Sequence, residues 1–344
     1  VLVKRQQLLE DVKRCLGATD KSSNASVDGF NSLWFDGSFV HSFNRKVCIS
    51  VPTSLNIECA VEAETLTKLL SKYKAQDIDL LLEEGGLKYN LPKANGVIQL
   101  IDPKIADHVK GINLEDIAFK PIPTGMMDGI RLCHINKNMG RIKGTVVHGM
   151  AVMSTDTVSM YVYEFGGMAD SFLLDDVCSE QLIRFQNDPV LYFVDDVWVH
   201  FRYEDGSIFS CVQKPLSSFP VGAFRSILES IMLEEVVWGG KIAPDMAEAA
   251  NRVSIFSDKS LKSDKITVTV LPSKIVLSAE SQSGKATEEV PFDTGIGGVA
   301  KFNISASVLN KGCLKCTDIA VMLNGRKPSV QFSADTFKMV VYVG

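Results

Sequence analysis

Apolar residues recur along this chain in two periods, and each arrangement returns three times. Leu8, Val12 and Cys15 stand at i, i+4 and i+7 after Arg5, the spacing of one buried helix face. Met126, Ile130 and Cys133 repeat it behind Thr124, a residue suited to cap a helix N-terminus. Met246, Ala250 and Val253 repeat it behind Pro244-Asp245. A second helix is expected about halfway through each unit. Leu66, Leu69, Leu70 and Tyr73 mark the first, Val177, Leu182 and Phe185 the second, and Val308, Leu309 and Leu314 the third.

Strand-like runs with glycine turns follow each second helix. Residues 78–82 lead into Gly85-Gly86, residues 190–203 into Asp205-Gly206, and residues 319–323 into Asn324-Gly325. Asp-Gly and Asn-Gly between apolar runs favour tight hairpins, because these residues tolerate positive φ. The turns lie near 86, 206 and 325, a period of about 120 residues. That is a domain's length and too long for a solenoid repeat. Ile266, Val268 and Val270 alternate with Thr267 and Thr269, Pro272-Ser273 turns the chain, and Ile275, Leu277 and Ala279 return. The expected fold class is therefore α+β. Three tandem domains would occupy residues 1–110, 115–222 and 230–344, each with two helices packed on antiparallel sheets. Linkers are expected near 104–116, beside Asp102-Pro103, and near 214–230, with Pro215 and Pro220.

Composition narrows the function classes. The chain is 46% hydrophobic and 22% charged, an ordinary globular balance. No apolar run approaches the roughly 18–20 residues that a membrane span requires. The opening Val1-Leu2-Val3-Lys4-Arg5 does not read as a signal peptide, so a cytoplasmic protein without a membrane partner is expected. Eight scattered cysteines read as reduced core thiols, and the pair Cys313 and Cys316 lacks the further ligands a zinc site needs. A net charge of −5 argues against coating nucleic acid with the whole surface, but it allows a local basic face. No P-loop occurs. Gly295-Ile296-Gly297-Gly298 precedes an apparent strand instead of opening a helix, so it is no dinucleotide loop. Asp175-Asp176 reads as a helix start and Asp195-Asp196 as a turn. No catalytic residue, metal or cofactor is expected.

Several runs carry a family resemblance. The stretch from Ala250 through Arg252, Ile255 and Phe256 to Lys259 is followed by a Val-rich hairpin and Glu288-Glu289-Val290. Phe302-Asn303-Ile304-Ser305 then leads into Val308-Leu309. This region resembles the third domain of the bacterial DNA polymerase III beta subunit, the sliding clamp. Gly149 through Thr155-Asp156, with Met160 beyond, resembles the clamp strand that ends in Ala-Thr-Asp-Gly-x-Arg-Leu. Phe219-Pro220 resembles the start of the clamp's third domain. The likeness is strongest over about 115–344, and the first unit fits mainly by element order.

The resemblance implies a non-enzymatic half ring. Two copies would close head to tail around duplex DNA as a homodimer, with helices lining the hole. A clamp-loader ATPase would open the ring, and a DNA polymerase would be tethered to it at the replication fork on the nucleoid. Ile255 and Phe256 fall in the segment that resembles the dimer contact. Lys21, Arg141 and Arg184 fall where the family places DNA-facing residues. Lys68, Lys72, Lys137, Arg252 and Lys311 join them as helix-borne or helix-flanking cations that would touch phosphates and read no bases.

A peptide groove for polymerase and loader is implied at Ile142, Thr155, Thr157, Val158, Met160, Pro220, Asn303, Val340, Val341 and Tyr342. Departures stand out there. The family's Gly-His-Arg is here Thr157-Val158-Ser159, an aromatic position is Ala306, and the usual basic tail is Tyr342-Val343-Gly344. They suit a divergent clamp, such as a phage-encoded one, with a less basic groove. Two other readings stay open: a clamp-fold protein scaffold that never encircles DNA, and an α+β nucleotide-related enzyme.

Overall fold

The computed structural model describes the chain apart from residues 21–28, 113–116, 136–143, 157, 186–187, 258–263, 293–298, 325–326 and 344. It separates into two compact units. Unit 1 is Val1–Pro123 with Phe172–Pro215, and unit 2 is Thr124–Ser171 with Leu216–Gly344.

One element order is written three times. The first copy runs β1 (Leu2–Lys4), α1 (Arg5–Cys15), β2 (Ser32–Asp36), β3 (Phe39–Phe43), β4 (Val47–Pro52), β5 (Glu58–Glu62), α2 (Ala63–Lys72), β6 (Asp77–Glu83), β7 (Gly86–Leu91) and β8 (Ala94–Ile98). A connecting helix α3 (Lys104–Lys110) follows. The second copy runs β9 (Lys120–Pro121), α4 (Met126–Cys133), β10 (Thr145–Thr155), β11 (Ser159–Leu174), α5 (Asp176–Arg184), β12 (Leu191–Val194), β13 (Trp198–Arg202) and β14 (Ile208–Lys214). Two long strands replace four short ones there. After α6 (Val221–Met232) the third copy restores the first order. It runs β15 (Glu235–Lys241), α7 (Met246–Val253), β16 (Lys265–Leu271), β17 (Lys274–Ser281), β18 (Gly284–Pro291), β19 (Ala300–Ser305), α8 (Ala306–Lys315), β20 (Asp318–Asn324), β21 (Lys327–Ser333) and β22 (Phe337–Tyr342).

Sheet topology repeats as faithfully. In unit 1, β1-β6-β7-β8 form one antiparallel sheet. In unit 2, β15-β20-β21-β22 take the same order, and β11 joins the edge of β22. The path β4-β3-β2-β5 in unit 1 is matched by β18-β17-β16-β19 in unit 2. On unit 1's second sheet, β14 pairs with β4, from Ile208 opposite Ser50 to Cys211 opposite Val47.

The helix faces behave as the spacing demands. Leu8, Val12, Cys15, Met126, Ile130, Cys133, Met246, Ala250 and Val253 are all buried. α1 packs on α2, and α7 on α8. Gly312 lets α8 approach its sheet, because a Cβ there would stand 2.5 Å from the Phe332 ring. Three expectations need correction. Val177 and Leu314 are exposed, since neither lies on the buried face of its helix. Gly125, at φ +87°, occupies the N-cap of α4 in place of Thr124. Residues 190–203 form two strands, as the turn expected at Asp195-Asp196 requires, with Asp195 accepting from the amides of Val197 and Trp198. Both expected linkers contain helices, α3 and α6. Gly295-Ile296-Gly297-Gly298 lies outside the described residues.

Candidate functional site

The predicted DNA-facing cations divide by environment. Lys21, Lys137 and Arg141 lie outside the described residues. Lys68 and Lys72 occupy the exposed side of α2, opposite buried Leu66 and Leu70. Lys68 pairs with Glu64 at 2.5 Å. Arg184 is exposed and meets Glu180 at 2.6 Å. Arg252 is held by Glu288 at 2.6 Å and by Glu248 at 3.3 Å, so much of its charge is answered locally.

Lys311 is unlike the others. Its Nζ donates to the His134 carbonyl at 3.1 Å and lies 4.3 Å from the centre of the Tyr161 ring. Burial pushes this ammonium down to about 8. It is turned into unit 2 as a packing group.

Unit 1 adds a cluster that the spacing did not reveal. The C-terminal turns of α1 and α5 meet around a hollow of about 310 Å³ lined by Lys13, Arg14, Gln181, Arg184 and Phe185. Arg14 is fixed by Asp205 at 2.6 Å, by the Ser207 hydroxyl at 2.9 Å, and over the Phe185 ring at 5.0 Å. Lys13 is exposed beside it. Cations at helix C-termini also complement the helix dipole. Only a three-dimensional view pairs residue 13 with residue 184.

Six predicted groove residues gather at one end of the β11–β22 pair. Ser159 stands opposite Val341 and Met160 opposite Val340, while the Tyr342 amide donates to the Val158 carbonyl at 2.9 Å. The Thr155 hydroxyl donates to the Ser159 carbonyl at 2.8 Å. Met160, Val340 and Val341 are buried, whereas Val158 is exposed. Pro220 is exposed at the start of α6. Asn303 sits on the other sheet of unit 2, where the Thr267 hydroxyl donates to it at 2.7 Å. Ile142 and Thr157 lie outside the described residues.

The open volume lies a few residues further along the same strands. A cavity of about 1080 Å³ separates β10 and β11 from α6. Met150, Met153, Val162 and Met168 line one wall, Phe224, Leu228 and Met232 the other, and Lys338 of β22 closes an end. Val162 and Lys338 are partners across the β11–β22 ladder. His148 Nδ1 lies 2.9 Å from the Ser171 hydroxyl on the polar side. Thioethers and aliphatic groups adapt to an apolar anchor of varied shape. Sequence reading missed these residues because α6 was expected to be a linker.

For the dimer residues, Ile255 is 63% exposed and Phe256 half-buried, with Gly284 of β18 close to the Phe256 ring. β18 and β8 are terminal strands of their sheets, each with one edge unpaired among the described residues.

No protein-family profile matches the chain, and no curated protein matches it in sequence. Solved structures do match. The Helicobacter pylori beta clamp bound to a DNA ligase peptide superposes with a TM-score of 0.79, at 12% identity, over 100% of this chain and 99% of that one. This chain has the fold of the bacterial beta clamp. A Pseudomonas aeruginosa sliding clamp, DNA polymerase III subunit beta bound to griselimycin, gives 0.77 at 15% identity over 100% and 98%. The Bacillus subtilis DNA polymerase sliding clamp gives 0.76 at 12% over the same shares. The shared fold accounts for the threefold element order at such low identity. Among the described residues no helix is long and apolar enough to cross a membrane.

Proposed function

We propose that this protein is a DNA sliding clamp and polymerase processivity factor. Two copies close head to tail around duplex DNA, a clamp-loader ATPase opens the ring, and a replicative polymerase is tethered to it. The observation that carries this reading is the thrice-written order of strand, helix, strands, helix and three strands, matched end to end by clamp structures. Fold alone does not give function, so local features matter. The exposed cations Lys13, Lys68, Lys72 and Arg184 on helices α1, α2 and α5 support a phosphate-facing surface without base readout. The free edges of β8 and β18, with Ile255 beside the second, support closure by sheet extension between copies. Domain limits of 1–110, 115–222 and 230–344 are part of this reading, and the repeated element order supports them. A partner peptide would anchor in the α6 cavity and extend toward Val158, Pro220 and Tyr342.

The test is topological. The full chain is loaded by its matched loader onto nicked circular DNA and washed at high salt. Retention that survives salt and vanishes on linearising the circle is expected. Binding that falls steeply with salt and ignores linearisation would instead leave a protein scaffold of clamp fold.

A further inference from the structure

Unit 1 contains a second cavity, of about 740 Å³, built on the same plan as the one in unit 2. In unit 2 the cavity flanks the ladder between β11 and the last strand of the third copy, at the pair Val162–Lys338. In unit 1 it flanks the ladder between β4 and the last strand of the second copy, at the pair Ser50–Ile208. Each is bounded by the helix that follows the preceding copy, α6 in one case and α3 in the other. The chemistry differs. Trp34, Phe39, His41 and Phe119 replace the methionines, and Lys110 and Arg202 stand at the mouth.

We propose that this unit 1 cavity is a second docking site, for a short acidic peptide segment with an aromatic or aliphatic anchor. Asp36 on its wall is already saturated: Oδ1 accepts from the amides of Ser38 at 2.8 Å and Phe39 at 2.7 Å, and Oδ2 meets His41 Nε2 at 3.0 Å. His41 Nδ1 meets the Ser50 hydroxyl at 2.8 Å. Ser50 is 1% exposed, so this Asp–His–Ser chain is a structural clip without an accessible nucleophile. Lys110 and Arg202 form no ion pair among the described residues, and they lie over the rings of Trp34 at 5.3 Å and Phe119 at 5.7 Å. Among the described lining residues, Lys110 and Arg202 are cations without a carboxylate partner. The Asp36 carboxylate, though ionised, is engaged by its own turn and by His41, which leaves the two cations and Glu58 to meet an incoming segment. A nucleobase is disfavoured because Trp34 is only 4% exposed and already stacks on His41 at 4.8 Å, so it offers no open platform. An apolar anchor below and carboxylates at the rim fit what remains.

The proposal rests on the partner-docking reading of the unit 2 cavity only by likeness of construction, and its test reads unit 1 directly. The full chain is labelled with 5-fluorotryptophan, and its Trp34 fluorine signal is assigned with a Trp34→Phe variant. The probe is the capped peptide acetyl-Glu-Leu-Phe-Asp-amide, titrated to millimolar. A saturable shift of Trp34, with Trp238 of unit 2 unmoved, is expected. Lys110→Glu and Arg202→Glu should each weaken binding about tenfold, roughly what the loss of one partly desolvated charge pair costs. Leu228→Glu in the other cavity should leave it unchanged, even if the clamp reading fails. The idea is overturned if Trp34 does not respond, or if the response survives both charge reversals. It is equally overturned if acetyl-Lys-Leu-Phe-Lys-amide binds as well, or if single-stranded oligothymidine shifts Trp34 and the acidic peptide does not.

Discussion

At the scale of single residues, unit 1 uses one polar device twice. Asp36, His41 and Ser50 are matched by Asp195, His200 and Ser210. Asp195 Oδ2 meets His200 Nε2 at 3.2 Å, and His200 Nδ1 meets the Ser210 hydroxyl at 2.8 Å. The aspartate closes a turn, the histidine five residues later ties it to the next strand, and a buried serine completes the chain. Burial pushes His200 below its ordinary value of 6.5, with Asp195 opposing. Burial works against ionised Asp36 and Asp195, but the hydrogen bonds they accept outweigh it and hold both below the usual 3.8. Below pH 6.5 the unfolded chain binds a proton at His200 before the folded chain does, and below 3.8 the same holds for the aspartates. Stability is therefore expected to fall as pH drops from 7 to 5, and further below 4. Urea midpoints across that range check it, and His200→Gln should flatten the first part. Lys311 gives a second prediction. Lys72→Glu should lower the salt dependence of duplex binding by about one ion. Lys311→Met should leave it unchanged, because that ammonium faces Tyr161 and the His134 carbonyl.

At the scale of elements, two helix glycines predict opposite outcomes. Gly312 of α8 faces the Phe332 ring and Met339, where an added Cβ would stand at 2.5 and 2.8 Å. Gly312→Ala is expected to destabilise the protein by roughly 1–2 kcal/mol, overpacking outweighing the gain in helix propensity. At Gly222 of α6 an added Cβ would meet open space, with no neighbouring group within 4 Å. Gly222→Ala should therefore stabilise by up to about 1 kcal/mol, by propensity alone. Thermal or urea unfolding distinguishes them. The connecting helices also explain a misreading. Pro103 and Pro220 suggest breaks, yet both are the N-cap residues of helices, where a missing N–H costs nothing. Helix α3 then buries Ile105, Ala106 and Val109 against Phe30, Trp34 and Phe43, whereas α6 buries only Phe224 and Ile231 and leaves its cavity open.

At the scale of the whole molecule, the proposed ring depends on two copies meeting. Ile255 is exposed on unit 2 beside the free edge of β18. Ile255→Asp is expected to shift sedimentation from about twice the chain mass toward one, and to abolish salt-resistant retention on circular DNA. A wild-type chain that stays monomeric at micromolar concentration would remove the basis for a self-assembled ring.

The sequence by itself determined the threefold repeat, the α+β class and the buried helix faces. These depend on local periodicity, and nine helix positions spaced at i, i+4 and i+7 are buried as that spacing requires. It also identified the strand residues that β11 and β22 bring together, through motif likeness. Tertiary structure alone decided which cations face solvent. Lys68 and Lys311 read alike along the chain, but neighbours more than a hundred residues away turn the second inward. It decided the cavities too. An open volume is the space between elements, and it depends on how closely α3 and α6 approach their strands, a distance that no local pattern of residues encodes.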